Sequence, residues 1–361
     1  MKQGWEYKRF EACINKTSKP KQVKTEEYNS GTKYPIVSQE DKLISGYYDD
    51  ESYVFHIDSP VVIFGDHTRV LKYIDFDFVV GADGVKIISP KQELNAKFLL
   101  YYLQWYKIPN LGYSRHYKLL KEIQIPLPPK STQLSIVSEL DKINELIRLK
   151  KEQLKDYDNL SQSIFYEMFG DPVENEKGWE VKTIKDTCIL KSGDSKANNS
   201  HKGNLPYVKV GDMNLPGNEN YINISTTYVD RASNINRIFP VGTIIFPKRG
   251  GAILTNKKRL TNVEICCDLN TMGVIPGNML NKYYLFQYFK ILDLSTICSG
   301  STVLQLNNCD INPLNIPLPP LPLQQLFAQR IEKIERQKSA VQKAITDLET
   351  LLASRMQHWF E

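Results

Sequence analysis

Ile123-Gln-Ile-Pro-Leu-Pro-Pro129 returns as Leu314-Asn-Ile-Pro-Leu-Pro-Pro320, an offset of 191 residues from position 123 to position 314. Each copy is followed at the same place by a glutamine, Gln133 or Gln324, and then by a long helical pattern. Recurrence on a fixed offset marks a duplicated architecture. Behind the first copy, apolar residues fall at Ile136, Leu140, Ile143, Ile147, Leu154, Tyr157 and Ile164, with Lys150 and Ser161 as polar interruptions. Behind the second they fall at Phe327, Ile331, Ile334, Val341, Ile345, Leu348 and Leu352, with Lys338 interrupting. Steps of four and three define a heptad seam, the pattern of helices that pack side by side. Lys338 stands in the register of Ile147, and Lys150 in that of Val341. Each lysine is thus matched by an apolar residue in the other copy, as suits two helices packing on each other. Each helix is expected to run roughly 38 residues, or about 57 Å. Ser131 is the expected N-cap of the first. Pro128 and Pro129, like Pro320 and Pro322, stop any earlier helix.

The segments before the helices match more loosely. Gly4-Trp5-Glu6 recurs as Gly178-Trp179-Glu180, and Val62-Ile63-Phe64 resembles Ile244-Ile245-Phe246. The run from Leu94 to Tyr102 resembles that from Leu280 to Tyr288. Short β-branched and aromatic runs separated by Gly, Asn and Asp predict strands, with one helix near the end of each module at about 95–106 and 281–291. The fold class that follows is α/β (mixed): two mixed α/β modules and two long antiparallel helices, internally repeated. The expected boundaries are 1–130 for the first module, 131–170 for a central helix, 171–320 for the second module and 321–361 for a closing helix.

The bulk numbers fit this reading. The chain has 361 residues, which suggests about two domains. Its formal net charge of +5 is only mildly basic, so the placement of the cations matters more than their number. The six cysteines form no C-x-x-C pair, which argues against zinc. No apolar run approaches a membrane span and the start MKQGWEYKRF has no signal-peptide core, so a cytoplasmic location is expected.

Two variable modules, each closing on I-P-L-P-P and a glutamine before a long helix, make the chain similar to the specificity (S) subunit of type I restriction-modification systems. The resemblance spans essentially the whole chain. It is carried by both G-W-E anchors, both I-P-L-P-P runs, Gln133, Gln324 and Gly300-Ser301-Thr302. The first copy departs at the last of these, with Gly112-Tyr113-Ser114 instead. The resemblance implies that each module is a target recognition domain reading one part of a bipartite, asymmetric site on double-stranded DNA. The helices would set the spacer and dock DNA methyltransferase subunits, two of them, with restriction/translocase subunits as further partners. It also implies that the chain is not an enzyme and binds no cofactor. S-adenosylmethionine, and ATP with Mg for cleavage, are expected on the partner subunits. The competing reading is a non-catalytic protein-binding scaffold, or a decoy that sequesters methyltransferase subunits.

DNA contact needs cations for phosphates and Arg, Asn or Gln for base edges. In the second module Lys248, Arg249, Gly250 and Gly251 follow a strand, and Asn256, Lys257, Lys258 and Arg259 come next. Five cations within twelve positions make this the leading DNA-facing segment. In the first module His67 and Arg69 occupy the matching place, and Arg115, His116 and Lys118 form a second cluster. Arg231, Asn234, Asn236 and Arg237 are a weaker set. The competing reading of each is a solvated basic loop. No G-x-x-x-x-G-K-[ST] loop is present, so no P-loop motor is visible. Asn312-Pro313-Leu314-Asn315 lacks the second proline and the aromatic of a methyltransferase motif and is read as structural. Glu180-Val181-Lys182 has the spacing of some metal nucleases but no evident partner aspartate. Glu139, Glu145, Arg148, Lys151 and Asp156 are expected on the outer helix faces.

Overall fold

The computed structural model describes residues 4–17, 20–112, 114–194, 203–300 and 303–361. Ser301, Thr302 and Tyr113, which belong to the motifs compared above, lie outside the described residues. The main helices are α1 (Ala96–Tyr106), α2 (Lys130–Phe169), α3 (Lys282–Ile291) and α4 (Leu321–Phe360). The chain forms two compact units: Met1–Glu152 with Val341–Glu361, and Gln153–Ala340. Each long helix therefore contributes to both units.

In the first unit, strand Glu6–Arg9 pairs antiparallel with Gln124–Leu127, so the G-W-E anchor lies against the first I-P-L-P-P run. A four-stranded sheet runs Ile14–Asn15, Val85–Pro90, Val61–Gly65, Leu71–Ile74. A second sheet is built on Phe78–Gly81, which pairs parallel with both Gln22–Val23 and Tyr34–Val37. Helix α1 starts on Asn95, whose side chain accepts from the Phe98 amide at 3.0 Å.

The second unit repeats the frame. Strand Glu180–Thr183 pairs antiparallel with Asn315–Leu318. A five-stranded sheet runs Cys188–Ser192, Thr271–Pro276, Ile244–Pro247, Arg259–Thr261, Tyr221–Ile222. Helix α3 starts on Asn281, whose side chain accepts from Tyr283 at 2.9 Å. Asn315, read from sequence as structural, opens the closing strand, and its backbone carbonyl accepts from the Tyr288 hydroxyl at 2.6 Å.

The repeated glutamines have a physical task. Gln133 Oε1 accepts from the Asn95 amide at 2.8 Å, and its Nε2 donates to the carbonyls of Glu93 and Pro128, both at 2.9 Å. Gln324 does the same with the Asn281 amide at 2.8 Å and the carbonyls of Met279 at 3.1 Å and Pro319 at 2.9 Å. Both side chains are buried. Each satisfies three backbone groups that would otherwise be costly to bury. They tie the long helix to the start of the module helix.

The heptad seam is buried as its spacing requires. In the first unit Ile136, Leu140, Ile143 and Ile147 are buried with Val341 and Ile345. Glu139 pairs with Arg355, and Lys151 with Glu349 at 2.9 Å, so the helices run antiparallel there. In the second unit Asp158 pairs with Lys338 at 2.8 Å and Phe165 meets Phe327 at 5.7 Å, again antiparallel. Phe360, the last helical residue of α4, closes the aromatic cluster of the first unit against Phe98, at 5.5 Å, and Tyr102, at 5.6 Å. Phe169, the last of α2, takes the same place in the second, 4.8 Å from Tyr284.

Two helix expectations need correction. Helix α2 begins at Lys130, directly after Pro129, so Ser131 lies inside the first turn instead of capping it. Glu139 is not on an outer face: its carboxylate takes Arg355 and, at 3.0 Å, the Trp359 indole N–H. Glu145, Arg148 and Glu152 do form an exposed ladder along α2.

Candidate nucleic-acid interface

In the second unit, Ile244–Pro247 is fully buried and delivers Lys248 and Arg249 at its end. The segment is pinned to a later one: Gly250 N–H donates to Leu304 at 2.8 Å, and Leu306 N–H donates to Lys248 at 2.9 Å. Arg249 and Gln305 form a bridge between them. A 3-10 turn follows over Gly250–Thr255. Gly250 takes φ +69, and a Cβ on either Gly250 or Gly251 would meet open space, so the backbone here is bare on its outer side. Ile253 anchors the turn in the core while Leu254 stands 64% exposed.

The cations of this segment divide sharply. Arg249 is exposed. Lys248 donates to Ser192 at 2.9 Å and is half-buried, and burial followed by the neighbouring Arg249 charge lowers its pKa. Lys257 is held by the Asn214 side chain. Lys258 is only 4% exposed, and its ammonium donates to Asn256 Oδ1 at 2.6 Å and to the Leu292 carbonyl at 2.5 Å. Arg259 spans the Met213 carbonyl, at 3.0 and 3.2 Å, and its own neighbour's carbonyl on Lys258 at 2.9 Å. Asn256 donates to Leu292 and accepts from the Leu294 amide at 3.0 Å. Asn256, Lys258 and Arg259 are therefore committed to backbone groups of their own unit. Sequence reading grouped them with Arg249 because it sees charge and not direction.

The first unit has the same division. His116 is fully buried: its Nε2 accepts from the Leu111 amide at 3.0 Å and its Nδ1 faces the Asp66 carbonyl at 2.9 Å. An acceptor opposite Nδ1 and a donor opposite Nε2 fix the neutral Nδ1–H tautomer. His116 is thus a clasp inside the fold and corrects the expectation of a DNA-facing histidine. Asp66, 2% exposed, completes the clasp by accepting from the Tyr117 amide at 2.7 Å. Arg69 donates to the Ile108 carbonyl at 3.0 Å. His67 is half-buried beside Gln39, whose side chain accepts from its amide at 3.3 Å. Arg115 and Lys118 are exposed on either side of the His116 clasp, and Leu111 beside it is exposed too. Of the weaker set, Arg231 pairs with Glu264 and Arg237 with Asp194, each at 2.8 Å, and Asn234 is buried; only Asn236 is exposed without such a tie.

Each unit therefore joins the loop after its central strand to the segment after its module helix; the first exposes Arg115, Lys118 and Leu111 there, the second Arg249 and Leu254. The second half of each junction, described over 299–300 with 303–306 and over 108–112 with 114–116, is only partly flagged by sequence. Its signal was Gly112 and Gly300, both at positive φ.

The family model described as "Type I restriction modification DNA specificity domain" matches residues 2–156 and 176–350, one match for each repeat. This chain belongs to the type I restriction-modification DNA specificity family. Among its relatives, the MjaIX specificity subunit of Methanocaldococcus jannaschii is 24% identical over 60% of this chain and 54% of its own length. This chain thus spans about half of that relative. The EcoR124I/EcoR124II specificity subunit of Escherichia coli is 22% identical over 90% of this chain and 84% of its own. The fold is shared with the crystal structure of a type I restriction-modification S subunit from M. genitalium, with a TM-score of 0.59 and 15% identity over 99% of this chain and 96% of that one. A chain from a structural study of type I R-M complex assembly and conformational transition matches with a TM-score of 0.56 and 18% identity, over 99% and 98%. Among the described residues, no helix of this specificity chain is long and apolar enough to cross a membrane.

Proposed function

We propose that this chain reads a split, asymmetric site on double-stranded DNA, one half with each unit, and carries no chemistry of its own. The observation that carries the reading is the repeated frame bearing unlike loops. The glutamine tie, the Asn-capped helix and the strand pair recur, while one frame exposes Arg249 and Leu254 and the other exposes Arg115, Lys118 and Leu111. Unlike side chains on like frames suit two different half-sites. Exposed arginine and lysine supply phosphate anchoring, and arginine can read guanine through its O6 and N7. The antiparallel helices set the gap, and their exposed faces, such as the Glu145–Arg148–Glu152 ladder, are available to DNA methyltransferase subunits. S-adenosylmethionine chemistry, and ATP with Mg for any cleavage, belong to those partners and to a restriction subunit. A cytoplasmic location follows from that assembly.

The test is a genome-wide map of DNA methylation in host cells with and without the gene. Loss of methylation at one split motif supports the reading. An unchanged map in cells shown to make the protein refutes it and favours a decoy or scaffold. The helix role is tested by adding one heptad to α2 and to the matching stretch of α4. The gap in the motif should change while both halves stay the same.

A further inference from the structure

We infer that Lys258, together with Asn256, is a positioning residue for DNA reading: it locks the turn that carries Arg249 onto the C-terminal end of α3, and Arg69 holds the same post at the end of α1. The inference rests on the assignment of that turn as a reading element.

The carbonyls at a helix C-terminus lack intrahelical partners and carry partial negative charge. Leu292, directly after α3, offers such a carbonyl. It accepts from Lys258 Nζ at 2.5 Å and from Asn256 Nδ2 at 3.3 Å. Asn256 Oδ1 in turn accepts from Lys258 Nζ at 2.6 Å and from Leu294 N–H at 3.0 Å. Three hydrogen bonds thus join the end of the reading turn to the end of the helix, and a fourth, between Lys258 and Asn256, braces the turn itself. The other end of the turn is fixed by backbone pairing with 304–306. At that end the Lys248 ammonium adds a hydrogen bond to Ser192 at 2.9 Å, whereas the Lys258 ammonium reaches a helix-end carbonyl.

The first unit has the counterpart. Arg69 follows the equivalent strand, Val61–Gly65, and its guanidinium donates to Ile108, two residues past α1, at 3.0 Å. Four non-glycine residues take positive φ among the described residues, and two of them are Arg69 at 62° and Asn256 at 49°. Left-handed backbone in a side-chain-bearing residue is costly and persists where the surroundings enforce it. Both loops therefore combine a left-handed residue with a cation on a carbonyl just past a helix.

The two cations differ in one respect. Burial lowers the Lys258 ammonium to about 8, against the opposing pull of Asp293, the acidic group at the helix end. The charges next to it in the chain are Lys257, held by Asn214, and Arg259, which turns away to Met213. The counterpart in the first unit is a guanidinium instead of an ammonium. At pH 9 roughly nine in ten Lys258 side chains would be neutral.

The experiment measures methylation by the complex of this chain with its modification subunits. Substrates carry single base changes in either half-site, at pH 7 and pH 9, and the readout is discrimination, the rate ratio of cognate to changed site. Arg249→Ala first identifies the half read by the second unit. In the wild type, discrimination at that half should fall roughly tenfold from pH 7 to pH 9, and the other half should hold. Lys258→Arg should remove the fall, and Lys258→Met should impose it already at pH 7. If Arg249→Ala alters one half-site but pH and Lys258→Arg leave the wild-type profile there unmoved, the positioning role is wrong. If Arg249→Ala alters neither half-site, the reading assignment itself fails, and the positioning role with it.

Discussion

Gln133 and Gln324, 191 residues apart, make the same three hydrogen bonds, each to the amide of the asparagine that caps its module helix and to two carbonyls. Each thereby connects the closing run, the module helix and the long helix. Replacing either by leucine removes the partner of one buried N–H and two carbonyls while keeping the volume. Each substitution should destabilise the chain by about 3 kcal/mol, read by urea unfolding, with similar values for the two copies. A loss confined to one copy would mean that the ties are not equivalent.

Lys338 occupies a seam position that is isoleucine in the other helix. Its side chain is 10% exposed and contacts Asp158 at 2.8 Å and Glu335 at 3.4 Å. Removing one partner of such a pair leaves a poorly solvated charge, whereas replacing the cation with a fitting apolar group can be neutral. Asp158→Ala should therefore cost about 1–2 kcal/mol, tempered by the exposure of Asp158. Lys338→Ile with Asp158→Ala should recover most of it. A double-mutant cycle measures the coupling; additive losses would show that the pair does not act as a unit.

The first unit has its own lock in Glu139, Arg355 and Trp359. The hydrogen bond from Arg355 is the largest influence holding the Glu139 carboxyl below its ordinary 4.5. A depressed carboxylate pKa adds stability above the unfolded value and loses it as pH falls through the folded one. Stability should decline as pH drops below about 4.5, and Glu139→Gln should flatten that part of the profile. An unchanged slope in denaturant titrations at successive pH values would argue that the lock does not contribute.

The frame was legible in the sequence because its signals are local. Ile136, Leu140, Ile143 and Ile147 repeat on a helical period, and Asn95 and Asn281 stand where helix caps belong. The strand pairings were less legible. Phe78–Gly81 pairs in parallel with two strands that precede it, and no local pattern announces that register. The candidate interface was legible only in part. Arg249, Lys258 and Arg259 look alike in a sequence, yet one faces solvent and two fill carbonyls of their own fold. His116 read as a surface histidine, although two backbone groups needed an imidazole between them. What decides such cases is the set of unpaired carbonyls and amides at helix ends and loop junctions, and these arise only when distant segments meet.

The most direct test of the central claim is exchange of residues 171–320 for the corresponding module of another member of the family, followed by a methylation map. The account predicts a new motif in which one half is replaced, while the other half and the gap are kept. Change in both halves, or in neither, would contradict independent reading by two units.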